Sequence, residues 1–195
     1  MRSTVPPERA TVPERPAHAP APGAQIPSHY RWCFGCGSEH PTGLHLRITA
    51  GDGLSVLGVV SVSEHHQGAP GLAHGGLLGA AFDEVLGTLN WLLGDPVVTA
   101  RLETDFLRPV PVGSELHIRA WVTGVLGRKV YTQAEGHLGT ADGEIAVRAT
   151  ALFLQVPIEH FTSFGTPEYI AQAIADRANG GPAWRPRGQE VEVNL

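Results

Sequence analysis

The sequence predicts an α+β fold in which a six-stranded antiparallel sheet wraps one long central helix and a short helix closes the chain. Three observations predict it. Apolar and polar residues alternate with period two through most of the middle of the chain, as strands with one buried face require. One segment, His74 to about Leu93, is instead apolar almost without interruption and too long for a strand. The last three turns between alternating runs are short and Gly-rich, which makes those runs antiparallel neighbours.

Taken in order, the chain opens on "MRSTVPPERATVPERPAHAPAPGAQIP", residues 1–27, where Pro, Ala and charge leave little to bury. Such composition does not repay the entropy of ordering, so a disordered arm is expected. Leu44, Leu46 and Ile48 then alternate with polar neighbours, and after "AGDG" the run Leu54, Val56, Gly58, Val60, Val62 completes a hairpin. The loop "SEHHQGAPG" leads into the apolar segment, whose hydrophobicity around most of its circumference predicts a helix buried on nearly all sides. Four strands follow: Val98 to Phe106, Leu116 to Val122, Val130 to Leu138 and Ile145 to Phe153. "TPEYIAQAIADRA" is a short amphipathic helix with Thr166 as N-cap and Pro167 at its first position. The domain is expected over 28–177, with a flexible tail over 178–195 that contains Trp184.

With 195 residues and 42% hydrophobic content, the chain has material for one core and one domain. A net charge of −5, with 14 Lys and Arg scattered along the chain, gives no footprint for a phosphate backbone, so nucleic acid is not an expected partner. Asp83 and Glu84 interrupt the longest apolar run, which falls short of the roughly 20 residues of a membrane helix. Two cysteines and no charged-then-apolar leader predict a soluble, cytoplasmic protein.

The run "QGAPGLAHGGLLGAAFDEVLG", followed by "VVTARLETDFLRPVPVG" and "GRKVYTQAEGHL", resembles the hotdog-fold acyl-CoA thioesterases of the phenylacetate-pathway and 4-hydroxybenzoyl-CoA type. The resemblance extends from about Trp32 to Pro157. The upstream "WCFGCGSEHPTGLHL" is similar to a segment preceding the first strand in one branch of that family. His-Gly-Gly alone is a weak signal, whereas H-G-G-x6-D after a Pro-Gly turn is fairly specific. The resemblance implies a hotdog fold and a dimer or dimer of dimers. It implies that His74, Gly75 and Gly76 form the helix start and oxyanion site, that Asp83 is nucleophile or general base, and that Thr99 is an accessory hydroxyl.

The same residues can be argued from their chemistry. A helix N-terminus presents unpaired N–H groups and partial positive charge, so the amides of Gly75 and Gly76 are placed to polarise a thioester oxygen. Asp83 lies seven residues past Gly76, roughly 10 Å along the helix. If both act on one carbonyl they must come from two chains with antiparallel helices, as in an isologous dimer. Asp83 then activates water or attacks the carbonyl carbon, and a thiol of pKa near 8.5 leaves without a dedicated acid.

Each residue also has a plainer reading. His74 caps the helix or transfers a proton. Glu84 points about 100° away from Asp83 and reads as a polar contact at an interface or loop. Thr99 shares the polar side of its strand with Arg101, Glu103 and Asp105. Arg128 and Lys129 are a solvated hairpin tip or a clamp for coenzyme A phosphates. His65 and His66 receive no role. Cys33 and Cys36, with His29, His40 and His45 nearby, suggest zinc, but no second close pair of ligands stands at finger spacing, so the expected state is a structural or reduced thiol pair with no metal. Ala80, Phe82, Leu86, Leu89 and Trp91 are pocket walls or core.

The expected function is hydrolysis of an acyl-CoA to free acid and CoA by a self-associating enzyme with no cofactor. The alternatives are a non-catalytic acyl-CoA or acyl-carrier binder and, with no histidine following His74 on the helix, a less favoured hotdog hydratase or dehydratase.

Overall fold

A computed structural model describes residues 3–178; the expected tail at 178–195 lies, apart from its first residue, outside the described residues. Among these residues nine strands and three α-helices follow in the order β1 (Gln25–Ile26), β2 (Arg47–Ala50), β3 (Ser55–Ser61), β4 (Gln67–Ala69), β5 (Leu72–Ala73), α1 (Gly75–Leu93), β6 (Val97–Phe106), β7 (Glu115–Leu126), β8 (Lys129–Leu138), β9 (Ile145–Gln155), α2 (Glu159–Phe164) and α3 (Pro167–Ala178). Seven of the strands form one antiparallel sheet ordered β1-β2-β3-β7-β8-β9-β6, and β4 and β5 make a separate small hairpin before α1.

The six expected strands are all present; the sheet has a seventh because β1 pairs Ile26 with Ile48 of β2. Two residues are too few to show a period. The first expected strand starts later than its alternation suggests. Leu44 and Leu46 are buried, but their N–H groups donate to the carbonyls of Phe34 and Gly35 instead of joining the sheet. The α2 turn, with no buried residue, left no apolar pattern to read.

The inner face of the sheet packs on α1. Phe82, Val85, Leu86 and Leu89 of the helix and Leu116, Ile118, Val130 and Val147 of the sheet are fully buried, each contributing about 1.5–3 kcal/mol relative to exposure. Two glycines let the helix come close: a Cβ at Gly136 would lie 2.8 Å from the Phe82 ring, and one at Gly58 would lie 2.5 Å from Val85. Of the suggested pocket walls, Phe82, Leu86 and Leu89 are therefore core, while Ala80 and Trp91 are only partly buried. Gly94, in the left-handed conformation (φ 87°), ends the helix with its N–H on Asn90 O.

The arm expected to be disordered instead lies against the sheet. Thr4 is buried, donates to Glu103 Oε2 at 2.9 Å and accepts from Thr150 Oγ1 at 2.9 Å. Thr11 pairs with Val125, and Pro6 and Ala10 sit over Gly124. Arg15 donates to the carbonyls of Gly51 and Pro20. Prolines reduce the entropy lost on ordering, and the outer face supplies apolar residues, Tyr131 and Leu152, that are buried. Removing residues 1–20 is accordingly expected to destabilise the fold by about 2 kcal/mol, a drop of roughly 4–8 °C in thermal midpoint. An unchanged midpoint by calorimetry would show that the contacts of Thr4 and Thr11 contribute nothing.

Candidate active site

The helix start is set by its cap. His74, extended at φ −73° and ψ 130°, precedes the first turn, and its Nδ1 accepts the Gly76 N–H at 2.9 Å. Its own carbonyl accepts the N–H groups of Leu77 and Leu78. Of the two amides expected to bind an oxyanion, that of Gly76 is thus already used by the His74 ring. Among the described residues the Gly75 N–H has no hydrogen-bond partner, and Gly75 is exposed. The two amides thus differ: that of Gly76 is engaged by the His74 ring, and that of Gly75 has no partner among the described residues. The exposed ring of Phe106 stands beside it, 3.5 Å from where a Gly75 Cβ would be.

The cap bond also separates the two readings of His74. His74→Ala should cost about 1 kcal/mol through loss of the cap, lowering the midpoint by roughly 2–4 °C. Its effect on turnover should be smaller than that of losing Asp83. An equal loss of turnover with an unchanged midpoint would assign proton transfer to His74.

Two turns along α1 the structure brings together Asp83 and Thr99. Thr99 Oγ1, on β6, donates to Asp83 Oδ1 at 2.8 Å. Burial pushes the Asp83 carboxyl above the usual aspartate range, the Thr99 hydrogen bond opposes that rise, and the neighbouring Glu84 charge adds to it. The result is a half-buried carboxylate with one oxygen fixed and the other available, more basic than a free aspartate. Thr99 follows Val98, which pairs with Leu154, and Leu154 pairs with Lys129. The Arg128–Lys129 tip, exposed, therefore stands two strands, about 10 Å, from the Thr99 row.

The structure does not bring Gly75 and Asp83 of one chain together: eight residues of helix separate them by about 12 Å. β6 is the outermost strand of the sheet, with ten residues and one edge unpaired among the described residues.

One cluster gains a member that the sequence reading does not supply, Glu84. His29, Cys33, Cys36 and Glu84 place their ligand atoms within 4.8 Å of one another. Glu84 makes the polar contact to a loop that is one of its two expected readings, and its side chain is only 14% exposed. Burial would raise the Glu84 carboxyl, but the hydrogen bond and charge of His29, with bonds from Cys36 and Cys33, outweigh it and hold the group below the usual glutamate range. The available signal was a second carboxylate on a buried helix with no assigned partner. Of the three histidines near the cysteines in sequence, His29 joins the cluster and His40 and His45 do not. His40 stacks edge-on with Phe34, and His45 Nδ1 lies 2.9 Å from Gly37 O.

Residues 70–142, which contain His74, Asp83 and Thr99, match the thioesterase superfamily. Acyl-coenzyme A thioesterase THEM4 of Xenopus laevis is 35% identical over 92 residues, 46% of this chain and 40% of that protein. The chain thus spans about 40% of the length of the curated relatives it matches. The PaaI protein of the E. coli phenylacetic acid degradation operon shares the fold, with 18% identity and a TM-score of 0.54 over 58% of this chain and 81% of its own. No helix among the described residues is long and apolar enough to cross a membrane. A crystallised thioesterase superfamily protein is 30% identical, with a TM-score of 0.59 over 71% of this chain and 70% of its own. With that relative matched over most of its length and the family match including the capped helix, the chain belongs to the thioesterase superfamily.

Proposed function

We propose that this protein hydrolyses acyl-CoA thioesters at a site shared by two chains, with Asp83 of one and Gly75 of the other. The observation that carries the reading is the Asp83 carboxylate, held on a buried helix by Thr99 at 2.8 Å with one oxygen left to act. The superfamily membership and the acyl-coenzyme A thioesterase relatives support the substrate class.

In this mechanism Asp83 takes a proton from water as the water oxygen bonds to the thioester carbon, or attacks that carbon itself to give an anhydride that water then opens. The carbonyl oxygen gains negative charge and is met by the Gly75 N–H at the positive end of α1. The C–S bond breaks with its electron pair leaving on CoA sulfur, a thiolate stable enough to need no acid. Thr99 positions Asp83. Arg128 and Lys129, at the same end of the sheet, supply charge for the CoA phosphates.

The twelve-ångström separation within one chain supports the two-chain site. So does β6, a long edge strand carrying Thr99 and ending at exposed Phe106 and Leu107, the kind of edge that proteins cover by pairing. Antiparallel pairing of β6 with its copy would be isologous and would set two copies of α1 side by side in opposite directions. Thiol release from a panel of short, aromatic and long acyl-CoAs tests the activity. Stoichiometric binding with no release from any of them would make the protein a binder instead.

A further inference from the structure

We propose that His29, Cys33, Cys36 and Glu84 form a zinc site that ties the segment before β2 to the middle of α1. The inference is independent of the reaction proposed above. Cys36 Sγ lies 3.3 Å from His29 Nδ1, Cys33 Sγ lies 3.3 Å from Glu84 Oε2, and His29 Nδ1 lies 3.5 Å from Glu84 Oε1. A tetrahedral zinc ion with bonds of about 2.3 Å to sulfur and about 2.0–2.1 Å to nitrogen and oxygen separates its ligand atoms by about 3.3–3.8 Å. The three measured separations, and the 4.8 Å limit on all six, are what such an ion needs with only small side-chain adjustments. Two thiols, one imidazole and one carboxylate are a donor set that favours zinc over the oxygen-seeking magnesium and calcium.

The backbone is shaped for the cluster. "CFGCG", residues 33–37, turns tightly, with the Gly37 N–H on Cys33 O at 2.8 Å and the Cys33 N–H on Tyr30 O at 2.9 Å. A Cβ at Gly35 would lie 2.6–2.8 Å from the Glu84 side chain, so a glycine there lets the turn close over the carboxylate. A Cβ at Gly37 would lie 2.4–2.6 Å from backbone atoms of Arg31 and Cys33. Ser28 Oγ stands 3.3 Å from Cys36 Sγ, a contact of the kind that orients a ligand from outside the metal shell. The ligand that sequence spacing does not supply is thus a helix residue, Glu84, 48 positions after Cys36.

Four protein ligands leave no open position, so the role is structural. Glu84 points about 100° around the helix from Asp83, and zinc at Glu84 would fix the rotation of α1 that aims Asp83 at Thr99.

The test uses full-length protein without a metal-binding tag, expressed in zinc-supplemented medium and analysed by elemental mass spectrometry. About one zinc per chain is expected, with at least a fivefold lower content in Cys33→Ser and Cys36→Ser. In case these variants fail to fold, wild-type protein stripped by a chelator is titrated with Co²⁺. Intense visible bands of tetrahedral cobalt with thiolate charge transfer should saturate near one equivalent and vanish on adding Zn²⁺. Stripping should also lower the thermal midpoint, and Zn²⁺ should restore it. Folded wild-type protein that retains far less than one zinc and gives no tetrahedral cobalt spectrum would overturn the site, as would full metal content in a folded Cys33→Ser/Cys36→Ser double variant.

Discussion

Asp83→Asn is expected to lower kcat for acyl-CoA hydrolysis by about 10² or more, the scale of losing general-base or nucleophilic assistance, while the fold survives. The amide has the size of the carboxylate, and its oxygen can still accept the Thr99 hydrogen bond that Asp83 Oδ1 accepts now. Removing the charge from a half-buried position also relieves its desolvation, so the thermal midpoint should hold or rise. Binding should persist, since the contacts assigned to CoA come from other residues; the loss then falls on kcat and leaves KM nearly unchanged. The measurement is thiol release at saturating substrate beside calorimetry of the same preparation. Near-normal turnover by the well-folded variant would remove Asp83 from the mechanism.

Much of the fold was legible because its signals are local. The alternation of Val56, Val60 and Val62, or of Leu116, Ile118 and Ala120, follows from one face of the sheet being buried, and these residues are buried together. The continuous apolarity of α1 follows from a helix enclosed by that sheet. Within the site, Asp83 and Thr99 were named from the sequence and meet at 2.8 Å. The misses share a cause, which is that they depend on partners distant in the chain. β1 is held by Ile48, the arm by Glu103, Thr150 and Val125, and no composition rule sees those partners. Cys33, Cys36 and the nearby His29 lack a fourth ligand within reach along the sequence, and Glu84 lacks a reason to be buried; the fold joins the two problems at one point. A single side-chain bond, from the Gly76 N–H to His74 Nδ1, distinguishes the amides of two adjacent glycines, and no sequence pattern shows it.

That bond also selects the variant for a test of the two-chain site. Gly75→Pro should abolish turnover with little effect on stability. Gly75 is the first residue of α1, where proline is well tolerated, its N–H has no partner among the described residues, and His74 before it already has the extended conformation that a following proline demands. The same change at Gly76 would remove the cap bond and crowd the His74 ring, which lies 3.0 Å from a Cβ there. Let one chain carry Asp83→Ala and another Gly75→Pro, so that each homodimer is dead at both sites. In a heterodimer, one site joins the intact Gly75 of the first chain to the intact Asp83 of the second, and the other site is doubly broken. Random mixing by denaturation and refolding makes half of the dimers hybrid, each with half its sites working, so about a quarter of wild-type activity should return. Native mass spectrometry confirms that hybrids have formed, and thiol release reads the recovery. Hybrids present with no recovery would mean that Gly75 and Asp83 act within one chain, or that one of them does not act, and the shared site would have to be abandoned.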